Sequence, residues 1–257
     1  MDKLQFLDVD SGTGPVKIAV NARSGQGSAL VWLGGFMSDM TSTKAGAIDT
    51  WAAAHGRPSV RFDYSGHGCS GGAFKDGTIS SWLDQSIRII ETFAGTRPIL
   101  IGSSMGGWIA LLAALKLKAS GSLSSPGGIV LIAPAVDFTE TLMWDAFPPE
   151  IKRQIETTGL WERPSAYSDA PYPITRTLIE DGRRHLLFGK SIETGCPVHI
   201  LQGAQDVDVP MAHALTLLEH LPHDPVSVTI VPDGDHRLAR EADIAKLVAI
   251  VAAMPAA

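Results

Sequence analysis

Residues 98–115 read Pro98-Ile99-Leu100-Ile101-Gly102-Ser103-Ser104-Met105-Gly106-Gly107-Trp108-Ile109-Ala110-Leu111-Leu112-Ala113-Ala114-Leu115. A short apolar run ends in Gly-x-Ser-x-Gly, and a run rich in Ala and Leu follows at once, so the order is strand, tight turn, helix. Such a turn holds its central serine on a sharp, strained corner, and small residues two before and two after it keep Cβ atoms clear of neighbouring backbone. Ser104 meets that requirement. Ser103 does not, because its flanking positions are Ile101 and Met105. Ser104 is therefore the candidate nucleophile.

Working outward, similar apolar runs stand at residues 16–20, 29–33, 59–62, 128–133, 198–202 and 226–231, most with little polar alternation. Continuous apolar runs of this length suit strands buried on both faces, as in a mainly parallel sheet covered by helices. Helix-like stretches lie between them at 43–55, 78–93, 105–118, 211–221 and 241–254. The alternation predicts an α/β fold. One stretch breaks it. Between about 135 and 192 no strand is expected; Pro148, Pro149, Pro164, Pro171 and Pro173 cut the helical pieces, and Trp144, Phe147, Trp161, Tyr167, Tyr172 and Phe188 supply large apolar groups. The expected organisation is an α/β core of residues 1–134 and 191–257 with a helical cap at 135–190, whose aromatics, Trp144 and Trp161 among them, wall a substrate pocket together with Gly35.

A serine hydroxyl attacks poorly until a base takes its proton and a third group orients that base. In a fold with this corner the partners follow in the order acid, then histidine. Gly203-Ala204-Gln205-Asp206-Val207-Asp208-Val209-Pro210 follows the run at 198–202, and Asp233-Gly234-Asp235-His236-Arg237 follows the run at 226–231. Both segments are loops at the carboxyl ends of strands, where open α/β sheets place their sites. Asp206 is the candidate acid, with Asp208 and Asp137 as alternatives, and His236 is the candidate base, with His67 and His185 as rivals. Attack on a carbonyl creates an oxyanion that needs preorganised N–H donors. The amide of Met105, next to the serine, is one. The amide of Phe36, in the glycine turn Gly34-Gly35-Phe36-Met37, is the other. Gly66-His67-Gly68-Cys69-Ser70-Gly71 also fits G-x-G-x-x-G, but a dinucleotide site needs its last glycine at the start of a helix and an acid about 20 residues on; here residues 73–77 intervene and the later region is helix-like. No cofactor and no metal are expected.

The 257 residues are 45% hydrophobic and 19% charged, enough apolar material for a core and too little charge for disorder. Length alone permits one large domain or two. A formal net charge of −6 has the wrong sign for a nucleic-acid or anionic-membrane partner. Cys69 and Cys196 are too few for a disulfide framework and lack metal-ligand spacing. The opening Met1-Asp2-Lys3-Leu4-Gln5-Phe6-Leu7-Asp8 has neither a signal-peptide apolar stretch nor the Arg-rich character of a transit peptide, and no run reaches about 18 apolar residues. A cytoplasmic protein without membrane insertion is the expectation; the sequence leaves its oligomeric state open.

Together, the turn Leu33-Gly34-Gly35-Phe36, the loop Phe62-Asp63-Tyr64-Ser65-Gly66-His67-Gly68, the serine corner, Gly203-x-x-Asp206-x-x-Val209-Pro210 and Asp235-His236-Arg237 resemble the α/β-hydrolases over nearly the whole chain. Phe36-Met37-Ser38-Asp39-Met40-x-x-Thr43-Lys44-Ala45, Gly102 to Trp108 and Gly159-Leu160-Trp161-x-x-Pro164-Ser165-x-Tyr167-Ser168 are similar, more narrowly, to the branch of palmitoyl-protein thioesterases and acyl-glucuronide esterases. Gly34 departs from the family, which often has histidine there. The resemblance implies a serine hydrolase cleaving small acyl esters or thioesters, or an acylated protein, through an acyl-enzyme. Acyl transfer, carbon–carbon bond hydrolysis and a noncatalytic binding module are the alternatives on the same fold.

Overall fold

A computed structural model describes residues 4–10, 14–164 and 171–255. Eight strands form one sheet: β1 (Gln5–Asp10), β2 (Pro15–Arg23), β3 (Leu30–Leu33), β4 (Ser59–Phe62), β5 (Ile99–Ser103), β6 (Gly128–Ile132), β9 (Val198–Gly203) and β10 (Val226–Val231), in the order β1-β2-β4-β3-β5-β6-β9-β10. The β1–β2 and β2–β4 pairs are antiparallel and the rest are parallel. From β3 the chain crosses to β4 on one side and returns to β5 on the other. That reversal opens a crevice beyond the carboxyl ends of β3 and β5, the place where open α/β sheets bind ligands.

Alternate residues of the central strands belong to different cores. Leu30 and Trp32 of β3, Ile99 and Ile101 of β5 and Val130 and Ile132 of β6 pack with Ala45, Ile48, Leu247 and Val251 of α1 (Thr43–Ala54) and α7 (Glu241–Ala253). Val31, Leu33, Leu100, Ile129 and Leu131 face the opposite way, toward α2 (Ile79–Phe93), α3 (Met105–Ala119) and α6 (Met211–Glu219). With both faces covered, the period-two pattern carries no polar residues, and this is why the strands read as unbroken apolar runs.

The expected strands and helices between them all form, with ends shifted by up to three residues. Two expectations need correction. β1 was not anticipated: it is the outer edge strand, its polar residues mostly exposed, so it carries no apolar run. The stretch between β6 and β9 is also not purely helical. It holds a π-helical segment (Thr139–Trp144), α4 (Pro149–Thr158), α5 (Arg176–Gly182), a 3-10 turn (Arg183–His185) and a hairpin of β7 (Leu160–Arg163) with β8 (Tyr172–Thr175). Pro173 sits within β8, where a two-stranded sheet leaves an edge that needs no amide donor. Tyr167 and the segment 165–170 lie outside the described residues.

The corner between β5 and α3 is set by close approach. A Cβ on Gly106 would collide with the carbonyl oxygens of Leu33 and Gly34, and one on Gly102 with the carbonyl of Gly106. Backbone cannot step aside as a flexible side chain can. We expect Gly106→Ala to cost about 3 kcal/mol or more, whereas Gly46→Ala, in α1 with open space around it, should gain about 0.5–1 kcal/mol by restricting the unfolded chain. Thermal melts of the two variants check this; equal shifts would contradict the packing argument.

Candidate active site

Ser104 stands between β5 and α3 with φ 55° and ψ −120°, a strained conformation for a residue with a side chain. Three backbone bonds hold it there: its N–H donates to the Ile132 carbonyl at 2.9 Å, and its carbonyl accepts from Gly107 at 2.9 Å and Ala135 at 3.1 Å. The hydroxyl is thereby pushed into the crevice. Its Oγ lies 3.2 Å from His236 Nε2, and His236 Nδ1 lies 2.8 Å from Asp206 Oδ2. β9 and β10 are parallel neighbours with Gly203 opposite Val231, so the two following loops emerge side by side. That adjacency lets residues 30 apart in sequence meet.

The Asp206 side chain is fully buried and saturated. Oδ1 accepts from the amides of Asp208 at 2.9 Å and Val209 at 2.8 Å, while Oδ2 takes the His236 Nδ1–H and a weaker donation from Gln202 Nε2 at 3.3 Å. A carboxylate so bound keeps Nδ1 protonated and leaves Nε2 as the acceptor facing the serine. Asp206, Asp208 and His236 offer ligand atoms within 4.8 Å of one another, a spacing a cation would tolerate. The lone pairs of Asp206 are already committed to N–H groups, so the arrangement is a hydrogen-bonded relay.

The alternatives sit elsewhere. Asp137 spends its carboxylate on the amides of Leu187 and Phe188 at 2.8–3.0 Å, and burial pushes it above the usual carboxylate range against those donors. Asp208 lines the cavity, but His236 turns to Asp206. His185 contacts Ser80 Oγ at 2.7 Å. His67 is buried, and desolvation drives it down to about 4. Neutral at ordinary pH, it sits with Nδ1 3.1 Å from the Ser65 carbonyl and accepts the Met37 N–H on Nε2 at 3.3 Å. The loop that resembled a dinucleotide fingerprint thus fastens the glycine turn; Asp63 assists by accepting from Met40 at 2.7 Å and Cys69 at 2.8 Å. His67 and Asp63 are the contributors that sequence spacing did not single out for this task.

That turn lies against the serine. A Cβ on Gly35 would stand 3.4 Å from the Cβ of Ser104, so the turn that carries Phe36 packs directly against the serine. Met105 is the first residue of α3, where an amide has no partner within the helix. Gly35, Phe36, Ser104, Met105 and His236 all line one cavity of about 570 Å³. Its apolar wall comes from Phe138, Leu142, Met143 and Tyr172. The Phe36 ring ties this wall to the core, 5.6 Å from Phe138 and 5.8 Å from Tyr172. Trp144 and Trp161, expected to wall the pocket, are not among its lining residues. The Trp144 ring is occupied by Arg183, 5.0 Å away, and Trp161 packs edge-on to Phe147 at 5.1 Å.

Among the described residues no helix is long and apolar enough to cross a membrane. A family model described as the alpha/beta hydrolase family matches residues 25–253. Human palmitoyl-protein thioesterase ABHD10 is 31% identical over 234 residues, covering 90% of this chain and 74% of the relative; the bovine protein is 33% identical over 232 residues, with the same coverage. These relatives are named as mitochondrial. Among solved structures, mouse alpha/beta hydrolase domain-containing protein 10 superposes with a TM-score of 0.86 at 29% identity over 97% of both chains. A crystallised Agrobacterium vitis S4 protein, provisionally described as a hydrolase, gives 0.95 at 46% identity over 98% of both. With the matched span, the strand order and the serine corner in agreement, the chain belongs to the alpha/beta hydrolase family.

Proposed function

We propose that the chain is a serine hydrolase that cleaves acyl esters or thioesters through an acyl-enzyme. The observation that carries this reading is the hydrogen-bonded run from Ser104 Oγ through His236 to Asp206, opening on a cavity with an apolar wall. His236 Nε2 takes the Ser104 proton as Oγ bonds to the acyl carbon, and Asp206 balances the imidazolium. The Phe36 and Met105 amides hold the oxyanion; one such donor is worth about 100- to 1,000-fold in rate. The tetrahedral species collapses as His236 passes the proton to the departing alcohol or thiol. Water then repeats the sequence on the acyl-enzyme, releasing the carboxylic acid and restoring Ser104. Residues 135–190 serve as the cap over a core of 1–134 and 191–257, and the substrate is a small acyl ester or thioester, or an acyl group on a protein.

Ser104→Ala should abolish labelling by a fluorophosphonate and lower ester turnover about a millionfold; retention of more than a tenth of the activity would refute the assignment. Asp206→Asn should cost about ten-thousandfold by leaving the wrong histidine tautomer, while Asp137→Asn should act on thermal stability. Severe loss of turnover confined to Asp137→Asn would transfer the acid role.

The apolar wall makes a second prediction. Each methylene it covers contributes about 0.8 kcal/mol, so kcat/KM should rise about three- to fourfold per added acyl carbon until the wall ends. A series of esters and thioesters from acetyl upward measures this; a flat profile would rule out an apolar acyl site.

A further inference from the structure

His236 hangs in the loop between β10 and α7, and the two sides of that loop are secured differently. Before the histidine the backbone is gripped by the end of β9. The Gln205 amide donates to the Gly234 carbonyl at 2.8 Å, and a Cβ on Gly203 would collide with the carbonyls of Gly234 and Asp235. After the histidine the chain makes a strained turn. Leu238 takes φ 43°, in the left-handed region, although it carries a side chain, and that side chain is buried in the core shared by the sheet, α1 and α7. Such a residue persists only where its surroundings over-determine it.

Two side chains hold the turn. The Leu238 amide donates to the Asp235 carboxylate at 2.9 Å. The Lys44 ammonium donates to the Arg237 carbonyl, in the peptide bond that joins Arg237 to the strained residue. Lys44 stands in the first turn of α1, which Ala45 and Ile48 anchor in the same core, so the pin comes from a fixed platform. Burial pulls the ammonium down to about 8; Arg237 acts in the same direction, and Asp235 and Asp243 oppose them. Asp243, on α7, is itself bound by Arg240 at 2.8 Å. Arg163, Tyr172, Asp208 and His236 are the other titratable groups of the cavity lining to which Lys44 and Arg237 belong. A bond from an ammonium is about twice as strong as one from a neutral donor, so the pin weakens as pH rises through about 8 and the amine loses its charge.

We infer that Lys44 is a positioning residue for His236: by holding the Arg237 carbonyl it fixes the turn after the histidine and keeps Nε2 on the Ser104 hydroxyl. The role rests on the hydrolase reading of Ser104 and His236. Nε2 stands 3.2 Å from Oγ, which leaves little slack. A misplacement of about 1 Å can cost about a hundredfold in rate. Because the lysine acts through the histidine, its effect falls on kcat and not on KM.

The test measures kcat and KM for one neutral ester from about pH 6.5 to about pH 9.5 in the unaltered protein, Lys44→Arg and Lys44→Met. Rates are taken per Ser104 titrated with a fluorophosphonate, so that loss of folded protein does not enter them. In the unaltered protein kcat should fall severalfold with a midpoint near pH 8. Lys44→Arg, whose guanidinium stays charged throughout, should keep most of the kcat and lose the fall. Lys44→Met should lower kcat about ten- to hundredfold at neutral pH, with KM little changed and no further fall on the alkaline side. A kcat that stays level through pH 8 in the unaltered protein, a fall that survives in Lys44→Arg, or a Lys44→Met variant that keeps its kcat or loses activity through KM overturns the positioning role and leaves the hydrolase reading intact. Should Lys44→Met fail to fold, the unaltered and Lys44→Arg profiles decide between them. Failure of Ser104 to label overturns the hydrolase reading, and the role of Lys44 with it.

Discussion

The site depends on holding one serine in a backbone conformation it would not choose. With φ at 55° and ψ at −120°, Ser104 stores strain on the order of 1–3 kcal/mol. The strain persists because neighbours over-determine it. The end of β6 grips the residue from one side through Ile132 and Ala135, Gly107 ties it to α3, and Gly102 and Gly106 let strand, loop and helix close to a distance that any Cβ would forbid. The same closeness that strains the serine brings the β3 loop against it, so strained corner and glycine turn are one packing solution.

A second pattern is how the loops at this edge are fastened. Asp63, Asp137 and Asp206 each accept two or more backbone amides from loop segments: Asp63 from the loops after β3 and β4, Asp137 from the residues before β9, and Asp206 from the loop before α6. Burial pushes Asp63 and Asp137 above the normal range despite these donors. A carboxyl raised in this way favours the folded state most below its unfolded pKa, and that contribution fades as pH climbs through the folded value. The fold accepts this cost because a carboxylate is the only side chain that can take several amides at once without offering a competing donor.

Much of this was legible before any coordinates. Strands buried on both faces declare themselves as apolar runs, and the loops after β9 and β10 bring Asp206 and His236 together at 2.8 Å. What was hidden has physical reasons. β1 is an exposed edge, and β8 carries a proline that argues against a strand in general but not in a two-stranded sheet. His67 drew notice as a rival base, yet its ring reaches across 30 residues to accept the Met37 amide, a contact that no local pattern encodes. The cap aromatics misled because size alone does not say which way a ring faces: Trp144 and Trp161 are satisfied by Arg183 and Phe147, while Leu142 and Met143 of the π-helical segment reach the cavity.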